Sequence, residues 1–335
     1  MLAKSFISGC EGTRLSENER AFFRAECPWG LILFARNCES PDQIRALVDD
    51  YRNAVDRENA PVLIDQEGGR VQRLRPPHWL SYPSGAVLAR AYDKNEDAGL
   101  EYARCVARLI ADDLLDLGIN VDCLPVLDVP QPGSHEIISD RAYGDTPDRI
   151  AVIGRVMSET LLAGGVLPVI KHLPGHGRAT LDSHEDLPRV SASYDELCRI
   201  DFAPFAKLRE MPLGMTAHIV YDAVDTELPA TMSPAVIDQV VRWQIGFDGL
   251  LMTDDLSMKA LGGTYQDRAR GALQAGCDVV LHCNGKFDEM TAVASVCDEL
   301  SGAARERAAR ATAQLTPASP FDRQAALEDF HRLCA

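Results

Sequence analysis

The sequence predicts a single-domain α/β protein of the (β/α)8 TIM-type barrel class, and three observations carry the prediction. Short apolar runs, each followed by a polar loop and an amphipathic stretch, recur about eight times at the spacing of βα units. Titratable residues (Asp65, Lys171-His172, His218, Asp254 and His282) fall directly behind those runs, at the strand ends where such barrels gather their chemistry. The alternative, an open doubly wound sheet, would normally bring a glycine-rich phosphate loop, and neither Gly-x-Gly-x-x-Gly nor a P-loop occurs.

Taken in order, Leu2 to Ser8 supplies a first strand, and Ser16 with Glu19 three residues on opens a helix to about Glu26. Gly30-Leu-Ile-Leu-Phe-Ala35 is an unbroken apolar run, as a strand covered on both faces requires, and ends in Arg36-Asn37. Ser40-Pro41 starts a helix, Asp42 to Val55, with apolar residues at helical spacing. Pro61-Val-Leu-Ile64 is the next strand, followed at once by Asp65-Gln-Glu-Gly-Gly-Arg-Val-Gln-Arg73. A long helix is predicted over Glu96 to Leu117, then Asn120-Val-Asp-Cys-Leu-Pro125. Ser139-Asp-Arg-Ala-Tyr-Gly144 reads as a loop, Pro147 to Ala163 as a helix and Val166 to Ile170 as a strand. Lys171 to Pro188 is predicted to be a shaped loop, because Gly175, Gly177 and its prolines break any helix. Asp195 to Glu210 is predicted helical, Pro212 to Ala217 a strand ending in His218, and Ser233-Pro234 a helix start. Gly249 to Thr253 is a strand capped by Asp254-Asp255; a helix near Gln266 to Ala275 precedes the strand Cys277 to Leu281 and His282. From Asp288 the tail is mostly helical, so residues 1–335 read as one barrel with a C-terminal helical tail.

With 335 residues, 46% of them hydrophobic, the chain is long enough for a large core; two domains fit the length, but barrels of this size are commonly one. The net charge of -16 is spread along the chain and argues against nucleic acid and anionic membranes as partners. Ten cysteines without a Cys-x-x-Cys pair or zinc-finger spacing are expected to be buried, reduced thiols of a cytoplasmic protein. Ile7-Ser-Gly-Cys10 resembles a lipoprotein cleavage box, but the apolar stretch before it is too short for a signal peptide, and no stretch approaches a membrane span.

Candidate chemistry concentrates between Lys171 and Pro188, which holds three of the eight histidines: His172, His176 and His184. Asp182 and His184 are two apart, so the carboxylate can orient and polarise an imidazole that acts as general acid and base. Asp254 is suited to be a nucleophile or an electrostatic stabiliser, although a helix N-cap is the plainer role, for Asp255 as much as for Asp254. Lys171 and His172 offer donors, Asp65 can accept from two hydroxyls, and Arg73 and Arg141 can donate in planar forks. Gly68-Gly69 would let backbone approach a ligand or simply make a tight turn, and His176 between two glycines is read as pinning the loop.

Lys171-His-Leu-Pro-Gly-His-Gly-x4-Asp182-Ser-His184 resembles the signature loop of the family-3 glycoside hydrolases, in their β-N-acetylglucosaminidase branch. Asp65 to Arg73, Ser139-Asp-Arg141 and Thr253 to Met258 match that branch in order and spacing, so the resemblance covers nearly the whole chain. It implies a retaining exo-β-N-acetylglucosaminidase of peptidoglycan recycling, with Asp254 as nucleophile, His184 as acid/base and Asp182 as its partner. Asp65, Arg73, Arg141, Lys171 and His172 would hold the N-acetylglucosamine. The implied substrate is a cytoplasmic N-acetylglucosaminyl-anhydro-muropeptide, with no metal or organic cofactor; the oligomeric state is left open, a monomer being one option. Leu173 stands where an aromatic residue is frequent, and Ala142-Tyr143 replace the commoner Ser-Phe, departures that touch none of these positions.

Two rivals share the same barrel. A metal-dependent hydrolase would use His172, His176, His218 and Asp254, leaving Asp182-Ser-His184 without a role, and would lose activity on chelation. A non-catalytic sugar-binding protein would carry a degenerate reactive pair, whereas Asp182, His184 and Asp254 are all present.

Overall fold

A computed structural model describes residues 2–133, 135–181 and 186–334. Eight parallel strands close into a barrel: β1 (Lys4–Ser8), β2 (Pro28–Leu33), β3 (Val62–Ile64), β4 (Val121–Asp122), β5 (Leu167–Leu173), β6 (Leu213–Thr216), β7 (Leu250–Asp255) and β8 (Val279–His282). Closure is made by β1 on β8, with Phe6 opposite Val280 and Ser8 opposite His282.

The period-two alternation of a strand sorts each apolar run between two cores. Ile7, Leu63, Val121, Leu167, Val169, Leu213, Met215, Leu250, Met252, Val279 and Leu281 pack inside the barrel. Their neighbours Phe6, Val62, Ile64, Ile170, Leu251 and Val280 pack outward against the helices. That alternation also positions the site. Asp65 follows inward-facing Leu63 by two residues, and Lys171 follows Val169 by two, so the same stripe that fills the core delivers charge at the strand ends.

Most predicted elements stand close to their expected limits. The helix behind Ser16 runs Glu17–Glu26 with the capping box in place, and Ser40 caps a helix over Pro41–Val55 with proline in its first turn. The others differ for physical reasons. The segment behind Asp65 forms a two-stranded hairpin, Gln66–Gly68 with Val71–Gln72. A helix at Gly85–Lys94 precedes the long one, Glu96–Asp116; Asn95 ends the first and caps the second. The stretch from Asp195 to Glu210 holds two short helices, Tyr194–Arg199 and Ala203–Lys207, broken where Asp201 turns inward to Arg178. The helix after Ser233-Pro234, Val236–Gln244, is wound with π-type hydrogen bonds. The tail is helical over Phe287–Ala294, Gly302–Thr312 and Arg323–Cys334, the last packing on the long helix. The cysteines are free thiols; six are buried, but Cys334 is exposed, against expectation, because it lies on the last turn of that C-terminal helix.

Candidate active site

β5 is longer than its sequence suggests. It runs through Lys171 and His172 to Leu173, because the Lys171 backbone pairs with Val126 and Met215 on either side. The two residues are therefore held by the barrel rather than by the loop behind it.

Lys171 is almost completely buried, and its ammonium meets two carboxylates: Asp65 Oδ1 at 2.9 Å and Glu67 Oε1 at 2.6 Å. Arg73 Nη2 reaches the other oxygen of Asp65 at 2.8 Å, and its guanidinium lies over the Phe34 ring. Arg141 grips Glu67 with a two-pronged contact, Nε and Nη2 each 2.8 Å from a carboxylate oxygen. The result is an alternating line of five charges, Arg73–Asp65–Lys171–Glu67–Arg141. Burial opposes ionisation of Asp65, but Lys171 and Arg73 outweigh it and hold the carboxyl well below the ordinary range. Burial likewise opposes Glu67, and Arg141 with Lys171 brings it down to about 2. Desolvation works against the Lys171 ammonium too, yet Asp65 and Glu67 drive its pKa up, so all five groups stay charged.

The hairpin that presents Glu67 depends on its glycines. Gly68 and Gly69 both have positive φ, and a Cβ on Gly68 would sit 2.2 Å from the Pro83 carbonyl oxygen. The close approach that these glycines permit is thus to the chain itself.

His172 is fixed by Asp128, whose Oδ2 lies 2.7 Å from the ring Nδ1. A carboxylate only accepts, so Nδ1 carries the hydrogen and Nε2 is left for a ligand. Oδ1 of the same Asp128 accepts the backbone N–H of His172 and of His176, at 3.2 and 2.6 Å. His176 is buried and anchors the start of the loop, as its place between glycines suggested. Burial depresses its imidazole to about 4, more than Asp128 can offset. Burial also opposes ionisation of Asp128 itself, but His172 and His176 hold its carboxyl at about 2.

Asp254 and Asp255 close the far side. Both belong to β7 rather than capping it, and the pairing of β7 with β8 slips between Met252 and Asp255, a bulge that turns both carboxylates to the mouth. Asp255 is engaged by structure: Oδ1 accepts from the backbone N–H of Ser257 and of Cys283, and Oδ2 from the Ser257 hydroxyl. Asp254 Oδ1 accepts from the Asp255 N–H at 2.8 Å.

Several of these side chains line one cavity of about 240 Å³. Asp65, Arg73, Arg141, Lys171, His172 and Asp254 all line it, so six of the eight predicted site residues are brought together. The other two, Asp182 and His184, lie outside the described residues. Sequence reasoning assigned no role to Glu67 or Asp128. Glu67 lies within the Asp65–Arg73 motif, and its signal was charge balance, since three cations gathered at one pocket need a second carboxylate. Asp128 gave no signal beyond an acid in an apolar run. Among the described residues no cluster of three or more histidine, cysteine and acidic side chains is arranged to hold a metal ion.

The depressed groups predict how stability follows pH. An unfolded chain takes up protons on histidine near 6.5 and on carboxylates near 4, whereas folded His176 protonates at about 4 and folded Glu67 and Asp128 at about 2. These three groups bind more protons when unfolded, so His176 contributes a loss of stability as pH drops from about 6.5 to 4, and Glu67 and Asp128 from about 4 to 2; buried Asp201, raised to about 6, works against His176 in the first window. Urea midpoints of the wild type and His176→Gln across this range check it: the wild type should lose stability relative to the variant between pH 6.5 and 4, and a constant difference would contradict the His176 contribution.

The glycosyl hydrolase family 3 N-terminal domain profile matches residues 11–315. A β-hexosaminidase of Alkalilimnicola ehrlichii is 39% identical over 288 residues, 85% of this chain and 82% of that protein. One from Methylococcus capsulatus is 38% identical over 321 residues, 94% of this chain and 92% of that one. Among solved structures, NagZ from Neisseria gonorrhoeae in complex with N-trifluoroacetyl-D-glucosamine superposes with a TM-score of 0.89 at 30% identity, covering 100% of this chain and 99% of that chain.

Proposed function

The chain belongs to glycosyl hydrolase family 3, and from that premise we propose that it is a retaining exo-β-N-acetylglucosaminidase. The observation that carries the reading is the single small cavity in which Asp254 faces a buried, fully charged lattice of Lys171, Arg141, Arg73 and Asp65 with His172 beside it. Such a small pocket suits one terminal sugar ring, whose hydroxyls and acetamido group are met by fixed donors and acceptors rather than by water.

In this reading Asp254 attacks the anomeric carbon while the bond to the leaving oxygen breaks and His184 gives that oxygen its proton. The charge that develops is oxocarbenium-like, and the product of the step is a glycosyl-enzyme. His184, now neutral and oriented by Asp182, then takes a proton from water as the water oxygen displaces Asp254. A histidine in this role departs from the usual scheme of two carboxylates. Relatives bearing the name β-hexosaminidase support the substrate class. We further propose an N-acetylglucosaminyl-anhydro-muropeptide as substrate and the cytoplasm as the site of the reaction, for which buried free thiols such as Cys10 and Cys277 are suited. No helix among the described residues is long and apolar enough to cross a membrane.

A panel of aryl β-glycosides differing at the 2-position, with a disaccharide muropeptide beside it, tests the proposal. The N-acetylglucosaminide should be cleaved up to roughly 10⁴-fold faster than the glucoside, because a site that loses a partner for its buried donors discriminates strongly. The muropeptide should release N-acetylglucosamine. Comparable rates on glucoside and N-acetylglucosaminide would overturn the specificity, and an uncleaved muropeptide the physiological substrate.

A further inference from the structure

His218 stands just beyond β6, completely buried, and the reaction above gives it nothing to do. Its Nε2 lies 3.1 Å from the Asp255 carbonyl oxygen and its Nδ1 2.7 Å from Thr231 Oγ1. Thr231 Oγ1 is in turn 2.8 Å from Thr216 Oγ1 and 3.1 Å from the Ala217 carbonyl oxygen, and both threonines are fully buried.

Hydrogen counting gives these contacts a direction. A carbonyl oxygen only accepts, so Nε2 carries the ring hydrogen. Burial favours the neutral ring and pushes its pKa down, more than Asp254 and Asp255 can offset. Nδ1 is therefore an acceptor and takes the Thr231 hydroxyl hydrogen, the shorter of that hydroxyl's two options. The Thr216 hydroxyl then donates to Thr231. Thr231 and His218 each receive and give, making a one-way chain from Thr216 to the Asp255 carbonyl, in a buried region where such bonds reinforce one another.

The chain ends one residue from Asp254. The N–H of Asp255 holds Asp254 Oδ1, and the Asp255 carboxylate ties β7 to the Cys283 amide beyond β8. On the β6 side, His218 bonds the Asp255 carbonyl. We propose that His218 is a positioning residue for the reacting carboxylate: it fixes the backbone of Asp255, and through it the direction in which Asp254 projects into the cavity. The proposal rests on Asp254 being the nucleophile of the reading above.

Two substitutions separate positioning from mere packing. His218→Met fills similar volume without either hydrogen bond, and His218→Gln restores an N–H near the place of Nε2. The readout is the single-turnover rate of phenol release from whichever aryl β-glycoside the wild type cleaves fastest. His218→Met should slow this step roughly 10- to 10²-fold, the scale of a misplaced reacting group, with KM near the wild-type value. His218→Gln should recover most of the loss, and Thr231→Val should show a smaller slowing of the same kind. A wild-type rate in His218→Met, a KM that rises in step with the lost rate, or a His218→Gln no better than His218→Met would overturn the proposal. Where His218→Met does not fold, an unchanged rate in Thr231→Val overturns it and a slowed one supports it. Because the substrate is chosen by activity alone, an error in the 2-acetamido assignment shows in the glycoside panel and leaves this test intact. An active Asp254→Ala, by contrast, would remove its foundation.

Discussion

Asp254→Ala is expected to be almost inactive on every substrate, aryl glycoside and disaccharide alike, with a loss on the order of 10⁴-fold or more in kcat/KM. No glycosyl-enzyme forms without the nucleophile, however good the leaving group. His184→Ala should behave differently. A general acid contributes in proportion to how poor the leaving group is, typically ~10²–10⁴-fold. Disaccharide cleavage should therefore be crippled, while glycosylation from a readily leaving phenol is partly spared. The same variant lacks the base for the second step, so the intermediate should accumulate and azide should discharge it. Asp182→Ala should be a milder version, since only the orienting partner is gone. Asp255→Ala is a distinct control. Its carboxylate is engaged with Ser257 and Cys283, so the variant should keep covalent labelling at Asp254 by a fluorinated sugar while losing thermal stability. Labelling of Asp255 in the wild type, or equal losses on both substrates in His184→Ala with no trapped intermediate, would refute the assignment.

Glu67→Gln is expected to damage stability and sugar binding together. The substitution keeps shape but removes one of two carboxylates that face three cations, leaving the Arg141 fork and one contact of buried Lys171 without a counter-charge. Breaking a buried ion pair from one side costs about 3–5 kcal/mol, because the partner stays buried and uncompensated. The urea midpoint should drop accordingly. KM for an aryl N-acetylglucosaminide should rise, since Lys171 and Arg141 lose what aims them, whereas the exposed pair Arg155–Glu159 should tolerate loss of its carboxylate almost without effect. A Glu67→Gln protein with wild-type stability and KM would show that the five charges are not a coupled unit.

The barrel was legible because its signals are local. Unbroken apolar runs such as Gly30 to Ala35, and caps such as Ser16 with Glu19, act within a few residues, and β2 and the helix behind Ser16 duly form there. The end of β5 was not legible. Lys171 and His172 read as loop because they are polar and lead into Gly175 and Gly177, yet ladder pairing with Val126 and Met215 carries the strand past them. The helix at Gly85–Lys94 has no side-chain cap bond at Ser84, which removes the usual sign of a start. In the site, Asp65, Lys171, His172 and Asp254 were legible from their places behind strands, but the carboxylates that pair with Arg141 and His172 were not. Glu67 belongs to Arg141 across 74 residues and Asp128 to His172 across 44, distances over which charge pairing leaves no pattern in the chain.

Those same separations decide when the pocket comes into being. Lys171 meets Asp65 across 106 residues, and the ring is complete only when β1 finds β8, Phe6 beside Val280. Each such loop must be closed at an entropic cost before its contact gives anything back. The charges that line the pocket are expensive to dehydrate singly and settle only as a set, so no early segment of the folding chain holds a rudimentary version of it. Sugar-cleaving activity is thus expected to appear during refolding only once these distant pairings are in place, which refolding followed by activity and by helix formation checks.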